Sequence, residues 1–347
     1  MVFSYYLCKI PYTLTFMLLK GLKRTIPAMF YVPNMVDWEI LEPVQKYLPE
    51  LPIATNSKEV EEYFHTKGKR VVRLPVFPEV VIMARHSCHK FPAKRVVKIG
   101  FRHGAYHFKR LTKAENYNLF DLYFVTSKDD LKAAESIGVK SAQSIGFPKI
   151  DDGFNGTMDE TTLNNYRLKA NIDPQKTTLL FTSTWVKSGM SAFSRWSDKL
   201  STLSDKYNLI VTLHPWFSEQ DVNKIKSIPN LYFIQKEKTL PYIMISDICI
   251  GDSSSIMGEC SALDKPLITF RTGESDRSLP KIEEMLEKMS IRIDTFDQML
   301  EGIETYLLNP NYKKSERMWA NSVMFESLDG KAGERAAKVI RKLASIK

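Results

Sequence analysis

The 347-residue sequence has few cysteines and no cluster of cysteines and histidines of the kind that binds metal. Its four cysteines lie far apart, and none belongs to a Cys-x-x-Cys pair or stands near a histidine at metal-binding spacing. These spacings exclude a disulfide-rich scaffold and a zinc module, and we interpret the cysteines as reduced thiols. We predict no metal site and no required cofactor, although a need for a divalent metal stays open.

The sequence also lacks a long uninterrupted hydrophobic run. In its apolar first thirty residues, the longest uncharged stretch, between Lys9 and Lys20, has ten residues, whereas a membrane-spanning helix needs about 20. A secretory signal would carry positive charge before this stretch and a cleavage site after it, and neither is present. We therefore predict that residues 1–25 form an amphipathic segment on an anionic membrane surface, with Lys20, Lys23 and Arg24 facing lipid phosphates. The alternative is a helix buried against its own domain.

Acidic residues are scarce in two parts of the chain. Residues 67–113 contain 13 Lys and Arg but one acid, Glu79, and so carry a net charge of +12. Residues 1–36 carry +4, and the total of +9 leaves −7 for the remainder. This basic N-terminal part predicts an anionic partner. We do not expect nucleic acid, because no reading helix, RNP-type motif or zinc site accompanies the charge.

What the sequence does have is a regular alternation of strand-like and helix-like segments, typical of an α/β protein with parallel sheets. Residues 128–138, 191–206, 218–227 and 279–289 have helical periodicity. Nine strands are too many for one doubly wound sheet of this length, and a polar stretch at 151–165 interrupts the pattern, so we predict two Rossmann-like halves. The predicted strands are IPAMFYV, RVVRLPV, VVKIGF, LYFVTS, TTLLFTS, NLIVTLH, LYFIQ, DICIGD and KPLITF.

The predicted domain order has four parts. Residues 1–25 are the membrane-associating segment, 26–155 an N-terminal Rossmann-like domain, 156–330 a C-terminal Rossmann-like domain, and 331–347 a C-terminal helix. Open α/β sheets bind ligands beyond the carboxyl ends of their strands. We therefore expect the two halves to face one another across a cleft, and residues that directly follow strands are the candidates for function.

A run of small hydroxyl residues follows one predicted strand and precedes a helix. The strand DICI leads into Gly-Asp-Ser-Ser-Ser at 251–255. Backbone N–H groups, hydroxyls and the positive end of the helix dipole meet at such a place, so we predict that Ser253, Ser254 and Ser255 bind a diphosphate. Glu259, one helical turn on, would reach the ribose hydroxyls of the same nucleotide. The alternative is an ordinary serine N-cap with a solvated Glu259.

Two histidines also follow predicted strands, one in each half. His103 stands between an apolar strand and Gly104, and His214 stands between another strand and Pro215. We predict that His103 is a general base and that His214 stabilises developing phosphate charge, because imidazole exchanges protons near neutral pH. A structural histidine is the alternative at each position. Thr184 ends a further strand and is predicted to donate a hydrogen bond to phosphate.

These motifs, in this order, resemble the CDP-glycerol glycerophosphotransferase family, the transferases of teichoic-acid and related capsule synthesis. That family carries a WHGTP-type histidine motif, a GxPRxD turn, a PTWR-type strand end, a Met/Leu-His-Pro strand end and a TDYSS-type phosphate loop followed by an acid. This chain departs from the pattern in having Ala105-Tyr106 for Thr-Pro, Ser253 for the loop aromatic and Glu259 for Asp. The matching segments, within residues 97–345, are RHGAY (102–106), GFPKID (146–151), STW (183–185), LHP (213–215) and GDSSS (251–255).

The resemblance implies a GT-B-like α/β fold, two facing Rossmann-like domains with a C-terminal helical segment. It implies an acceptor domain at 26–155 and a donor-nucleotide domain at 156–330. His103 would act as base on the acceptor hydroxyl, while His214 and the serine loop would hold the donor diphosphate. A polyol phosphate, most simply glycerol phosphate, would move from a CDP-activated donor to a membrane-linked or polysaccharide acceptor, releasing CMP. The enzyme would work in the cytoplasm, at the inner face of the cell membrane.

Two other classes of function stay open. The segment GDSSSIMGEC also resembles the TDSGGIQEEA-type loop of UDP-N-acetylglucosamine 2-epimerases, so a nucleotide-sugar glycosyltransferase or an epimerase is an alternative enzyme. A non-catalytic protein that binds anionic lipid or polymer through the basic segment is the alternative of another class. CDP-ribitol also stays open as the donor.

Overall fold

The computed structural model describes residues 3–69, 71–84, 87–108, 111, 113–235, 237–273, 275 and 278–344, and for residues 3–7 it describes the backbone alone. The chain divides into two compact units, each with one parallel sheet. Unit 1 consists of Met1–His103, Thr112–Asp151 and Glu326–Lys347, and unit 2 consists of Gly104–Leu111 and Asp152–Phe325.

The strands of unit 1 form a seven-stranded sheet in the order β3-β2-β1-β4-β5-β6-β7. The central strands are buried on both faces, which is why their sequences read as continuous apolar runs rather than as alternating ones. The strands of both units are β1 Ile26–Tyr31, β2 Ile53–Ala54, β3 Val71–Val72, β4 Pro78–Met83, β5 Val97–Phe101, β6 Leu122–Val125, β7 Ala142–Ser144, β8 Thr178–Ser183, β9 Asn208–Leu213, β10 Leu231–Phe233, β11 Ile248–Gly251, β12 Leu267–Phe270 and β13 Ile291–Ile293.

The strands of unit 2 form a six-stranded sheet in the order β10-β9-β8-β11-β12-β13. Helices connect most of the parallel neighbours in both sheets, while the described part of the β4–β5 connection holds a 3-10 turn at Cys88–Lys90. The helices of the chain are α1 Phe3–Gly21, α2 Met35–Gln45, α3 Lys58–Thr66, α4 Ala114–Tyr117, α5 Lys128–Ser136, α6 Glu160–Lys169, α7 Phe193–Trp196, α8 Glu219–Lys226, α9 Leu240–Ile245, α10 Ile256–Ala262, α11 Pro280–Met289, α12 Phe296–Leu308, α13 Lys314–Met324 and α14 Ala332–Ala344.

These elements confirm the predicted α/β class and its parallel sheets. All nine predicted strands contain an observed one, and β2, β4, β7 and β13 are additional. The predicted helix at 191–206 is wrong in its length, because only α7 and a 3-10 turn at Leu200–Leu203 form there. Its large apolar side chains, such as Trp196, are buried in the core of unit 2, so burial rather than helix geometry explains their spacing.

The first helix packs on unit 1 by one face. The Tyr12 hydroxyl donates a 2.7 Å hydrogen bond to the carbonyl of Val76, and Phe16 is fully buried. Near its end Lys20 forms an ion pair with Glu79, with 2.9 Å between Nζ and Oε2. The opposite face is apolar and exposed, and it consists of Ile10, Leu14, Met17, Leu18 and, just past the helix, Leu22. In the part of the chain that the structure describes, no helix is long and apolar enough to cross a bilayer.

The last helix, α14, completes unit 1. Its first backbone N–H groups, those of Ala332 and Gly333, donate to the Asp151 carboxylate at 3.2 and 2.7 Å. Gly333 also lets α14 approach α2 closely, since a Cβ at this position would lie 2.6 Å from the carbonyl oxygen of Pro43. Asp151, the acid of the GFPKID turn, therefore caps a helix that begins 181 residues later in the chain.

Candidate active site

The first candidate, His103, lies two residues beyond the end of β5 and is exposed. Its neighbour Arg102 continues the sheet, donating its backbone N–H to the carbonyl of Phe124 at 3.0 Å. The Arg102 guanidinium then pairs with Asp130, with 2.6 Å between Nε and Oδ2 and both side chains almost fully buried. Because Asp130 belongs to α5, this ion pair ties the end of β5 to that helix and fixes the backbone immediately before His103.

The segment that follows His103, Gly104–Leu111, belongs to unit 2. Its residues Gly104 and Phe108 lie against the start of α10. Gly104 lies so close to Ser255 that a Cβ would come within 2.8 Å of the serine Oγ. Gly258 is equally crowded, since its Cβ would lie 2.9 Å from Phe108. Two glycines therefore permit the close approach of this loop to the serine loop.

The serine loop follows β11 and leads into α10. Ser253 is fully buried, and its hydroxyl donates to Glu283 Oε1 at 3.0 Å. Glu283 in turn pairs with Arg292, whose side chain is only 2% exposed. Ser254 and Ser255 are half-buried. Among the described residues no side-chain bond from Ser255 caps α10, so the ordinary serine N-cap is not formed.

Glu259 lies on α10 and is only 3% exposed. The alternative of a solvated Glu259 is therefore wrong, because this carboxylate is almost fully withdrawn from water. A carboxylate is rarely buried to this degree unless other groups compensate its charge. This buried carboxylate lies one helical turn beyond the serine loop.

Thr184 lies directly beyond β8 and is held by the residue that precedes the serines. Its backbone N–H donates to both oxygens of Asp252, at 3.1 and 3.0 Å. Asp252 Oδ2 also accepts from the Ser183 hydroxyl at 2.7 Å and from the backbone N–H of Ala192 at 3.1 Å. Asp252 itself is fully buried. Burial raises the pKa of this carboxyl, and the hydrogen bonds from Ser183, Ala192 and Thr184 oppose that rise.

His214 directly follows β9 and lies within a small aromatic cluster. The backbone N–H of Trp216 donates to His214 Nδ1 at 3.2 Å. The rings of Trp216 and His214 meet edge to face with 5.1 Å between centroids, and Trp185 meets Trp216 in the same way at 4.9 Å. Because a backbone N–H can only donate, Nδ1 is the unprotonated nitrogen and the neutral ring carries its proton on Nε2. Neutral His214 is thus a donor through Nε2.

In unit 2, the predicted residues therefore lie at neighbouring strand ends. Thr184 follows β8, the serine loop follows β11, and these two strands pair directly in the sheet. His214 follows β9, which pairs with β8 on its other side. His103 lies in unit 1. Among the described residues no group of three or more His, Cys, Asp and Glu side chains is arranged to hold a metal ion.

Some residues of this site could not be identified from the sequence. Asp252 stands in the Gly-Asp-Ser-Ser-Ser run, but its contacts with Thr184 and Ala192 depend on the pairing of β8 with β11. Glu283 and Arg292 come from elements 30 or more residues further along the chain. Only the strand-end position of Asp252 offered a signal.

Comparison with known proteins agrees with this arrangement. The family described as CDP-glycerol:poly(glycerophosphate) glycerophosphotransferase matches residues 89–342. A search of curated protein sequences gave no match. Among solved structures, that of the wall teichoic acid polymerase TagF has a TM-score of 0.71 and 14% identity, and the match covers 98% of each chain.

Solved epimerases have the same architecture at similar identity. UDP-GlcNAc 2-epimerase from Neisseria meningitidis bound to UDP-GlcNAc has a TM-score of 0.61 and 14% identity, and the match covers 91% of this chain and 99% of the epimerase. An S. aureus MnaA structure with UDP has a TM-score of 0.63 and 15% identity, with 92% and 97% covered. These likenesses establish a GT-B-like two-domain fold. The family match spans most of the chain, so this protein belongs to the CDP-glycerol:poly(glycerophosphate) glycerophosphotransferase family and is a transferase of that kind.

Proposed function

We propose that the protein transfers glycerol phosphate from CDP-glycerol to a hydroxyl of a membrane-linked or polysaccharide acceptor in cell-envelope polymer synthesis, releasing CMP. The observation that carries the proposal is the set of strand ends in unit 2. Thr184, His214 and the serine loop lie at three adjacent strands, where a parallel sheet binds a nucleotide ligand. The family match supports CDP-glycerol as the donor. A TagF variant described with CDPG is among the structural neighbours, at 15% identity.

In the proposed reaction an acceptor hydroxyl attacks the β-phosphorus of CDP-glycerol. The new bond joins the acceptor oxygen to this phosphorus, and the bond from the phosphorus to the bridging oxygen breaks. The bridging oxygen leaves with CMP, and His103 takes the proton of the acceptor hydroxyl. The exposed position of His103 beyond a rigid strand end supports this role, because a base must be reachable by the acceptor.

The donor side of the reaction needs hydrogen bonds to the diphosphate. His214 supplies Nε2–H in its neutral form, because its Nδ1 accepts from Trp216. Ser254, Ser255 and Thr184 add hydroxyls, and we assign Ser253, which is fully buried, to the support of the loop as well as to donor binding. Glu259 is proposed to accept from the ribose hydroxyls. Donors aimed at developing phosphate charge are worth most when they are fixed before the reaction.

We further propose that the protein works in the cytoplasm at the inner face of the cell membrane, held there by α1. The apolar residues on the exposed face of this helix, Leu14 and Leu18 among them, support insertion into the lipid interface. Lys23 and Arg24 are exposed at its end and would contact lipid phosphates. Lys20 lies beside them, although its ammonium is paired with Glu79.

Product analysis tests the proposed reaction. Purified protein is incubated with CDP-glycerol, CDP-ribitol or UDP-N-acetylglucosamine together with a lipid-linked acceptor, and the released nucleotide is identified. We expect CMP from CDP-glycerol, and we expect His103→Ala to abolish it. The matched control is His65→Ala, because His65 lies on an exposed helix end of unit 1. Release of UDP, or conversion of UDP-N-acetylglucosamine into its 2-epimer without release of CMP, would establish the glycosyltransferase or epimerase alternative instead.

A further inference from the structure

Asp252 is a fully buried carboxylate of the donor side that accepts hydrogen bonds from three residues, and the reaction as proposed gives it no chemical step. Its side chain accepts hydrogen bonds from Ser183, Thr184 and Ala192 and is fully withdrawn from water. A buried carboxylate that accepts several N–H and O–H bonds is strongly fixed and fixes its partners in turn. Of its partners, Ser183 belongs to β8, and Thr184 and Ala192 belong to the loop that follows β8.

The partners of Asp252 are the two ends of one loop. Thr184 begins the loop after β8, and Ala192 ends it just before α7. One carboxylate thus holds both ends of residues 184–192. The loop is tied down further in its middle, where Ser275 donates its hydroxyl to the carbonyl of Ser188 at 3.3 Å.

The loop leads directly to the histidine of the donor side. Trp185 follows Thr184 and contacts Trp216 edge to face at 4.9 Å. Trp216 in turn donates its backbone N–H to His214 Nδ1. A displacement of Thr184 would therefore move Trp185 and remove part of the packing that orients His214.

We propose that Asp252 is a positioning residue of the donor site: it holds Thr184 at the serine loop and, through Trp185, keeps His214 oriented for the donor diphosphate. The proposal rests on the proposed function for the identity of the donor, but the hydrogen bonds that carry it do not depend on that identity. Asp252 does not need to touch the nucleotide in this role. Its effect is to make three strand ends into one rigid binding surface.

The test compares Asp→Asn changes at the two aspartates that flank β11, Asp247 before the strand and Asp252 after it. In Asp252→Asn the amide oxygen can take the place of Oδ2 and still accept from Ser183. The amide nitrogen then takes the place of Oδ1 and faces the Thr184 N–H, and two N–H donors cannot form a hydrogen bond with each other. The control is Asp247→Asn, because Asp247 Oδ2 accepts the backbone N–H of Thr178 at 2.8 Å, at the opposite end of β8. Both changes remove one negative charge and disturb one carboxylate-to-backbone bond.

We expect Asp252→Asn to raise KM for CDP-glycerol at least about tenfold, the usual size of a lost bond to a charged group, with a smaller change in kcat. Hydrogen exchange should quicken at the amides of residues 184–192 and at the amide of Trp216, which donates to His214 Nδ1, and should stay unchanged at the other amides of unit 2. Asp247→Asn should leave KM and this exchange unchanged. Faster exchange with an unchanged KM would overturn the proposal, and so would an equal loss in Asp247→Asn, because both results assign Asp252 to folding alone.

A failure of the proposed function is distinguished by a binding measurement. CMP, CDP-glycerol and UDP are titrated into wild type and both variants by calorimetry. If wild type binds UDP rather than the cytidine nucleotides, the donor assignment is wrong, and a tenfold weaker UDP affinity in Asp252→Asn still supports the positioning role. Equal nucleotide affinities in wild type and Asp252→Asn overturn it, whichever nucleotide binds.

Discussion

At the residue scale, the protonation of His214 follows from one backbone bond. The backbone N–H of Trp216 can only donate, so Nδ1 of His214 must accept, and the other ring nitrogen, Nε2, carries the proton of the neutral ring and is a donor. A residue of this kind stabilises negative charge and does not remove protons. A substitution at His214 would therefore have to replace a hydrogen-bond donor, whereas a substitution at His103 would have to replace a proton acceptor.

This difference predicts the behaviour of amide substitutions. Glutamine places its amide nitrogen near Nε2 of histidine, whereas asparagine places it near Nδ1. We expect His214→Gln to keep within about tenfold of the wild-type kcat/KM and His214→Asn to lose at least about 100-fold, the usual cost of one donor to transition-state charge. Steady-state release of CMP measures both.

The matched pair at His103 provides the contrast. A carboxamide cannot accept a proton at neutral pH, so His103→Gln and His103→Asn should be equally inactive if His103 is the base. If His214→Gln is as inactive as His214→Asn, His214 does not act as a hydrogen-bond donor. If His103→Gln is active, His103 is not the general base.

At the residue scale, the sequence was most informative about side chains that directly follow predicted strands. The positions of His214, Thr184 and the serine loop beyond strand ends were predictable because each comes directly after an apolar run. The burial of Ser253 and its hydrogen bond to Glu283 were not predictable, because they depend on how α11, which packs on β13 and α13, is placed in the folded unit rather than on any local pattern. Long-range contacts of this kind leave no periodic trace in the sequence.

At the element scale, α14 depends on a cap that the sequence places far away. Burial raises the pKa of Asp151 to about 6 from an ordinary 3.8, although the N–H groups of Gly333 and Ala332 favour its ionised form. The folded state therefore keeps a proton on Asp151 up to a higher pH than the unfolded chain does, and this difference stabilises the folded state at low pH. The stabilisation is complete below about pH 4 and is lost as the pH rises through about 6.

Asp151→Asn removes this titration. From pH 4 to pH 7 we expect the free energy of unfolding of wild type to fall by about 2 kcal/mol relative to that of the variant, since one pKa unit corresponds to about 1.4 kcal/mol. Urea unfolding at several pH values measures the difference.

The control for Asp151 is Asp329→Asn. Its hydrogen bonds from Arg335 lower the pKa of Asp329, so the stabilisation by that carboxylate is lost as the pH falls, in the opposite direction. Parallel pH profiles for wild type and Asp151→Asn would contradict the predicted role of burial.

The first helix gives a second prediction at this scale. Leu14 and Leu18 are 62% and 63% exposed, so the double change Leu14→Gln/Leu18→Gln should leave the melting temperature unchanged. Binding to lipid vesicles should weaken by at least about tenfold, because two leucines no longer enter the interface. The control is Leu308→Gln, an 87% exposed leucine of unit 2. Vesicle co-sedimentation unaffected by the double change would contradict the proposed anchor.

The elements themselves were predictable where they were long and apolar. Central strands such as β1, β5, β8 and β11 were predictable from continuous apolar runs, but β4, the middle strand of the unit 1 sheet, was missed. The helices predicted at 218–227 and 279–289 match α8 and α11 closely. Strands of two or three residues, such as β2 and β13, were missed because so short a segment carries no periodicity. At 191–206 buried aromatics produced a helix-like spacing without a helix.

At the scale of the whole molecule, the positive charge belongs to one unit. Unit 1 has 27 Lys and Arg against 17 Asp and Glu, a net charge of +10, whereas unit 2 has 22 against 23, a net charge of −1. The unit that carries α1 thus carries the whole excess. Attraction to an anionic surface should act on unit 1 and should be screened by salt.

This charge distribution predicts how vesicle binding responds to salt and lipid. Binding to phosphatidylcholine vesicles with about 30% phosphatidylglycerol should weaken steeply between about 50 and 500 mM NaCl, whereas binding to pure phosphatidylcholine should change little. Lys23→Gln and Arg24→Gln should each weaken binding to the anionic vesicles about fivefold, as one basic residue contributes about 1 kcal/mol.

Lys20→Gln provides the comparison within α1. Its ammonium is paired with Glu79, so its loss should weaken vesicle binding less than the loss of Lys23 or Arg24 does. Equal binding to anionic and neutral vesicles at low salt would contradict the electrostatic part of the proposal.

The division of the chain into units also has a consequence for the order in which the protein folds. Residues 326–347 belong to unit 1, yet the ribosome makes them after the whole of residues 152–325. Until they emerge, Asp151 has no helix to cap and Pro43 lacks its neighbour Gly333. All strands of unit 2 are thus synthesised before the last helix of unit 1. Unit 1 can complete its core only after residues 326–347 have been made.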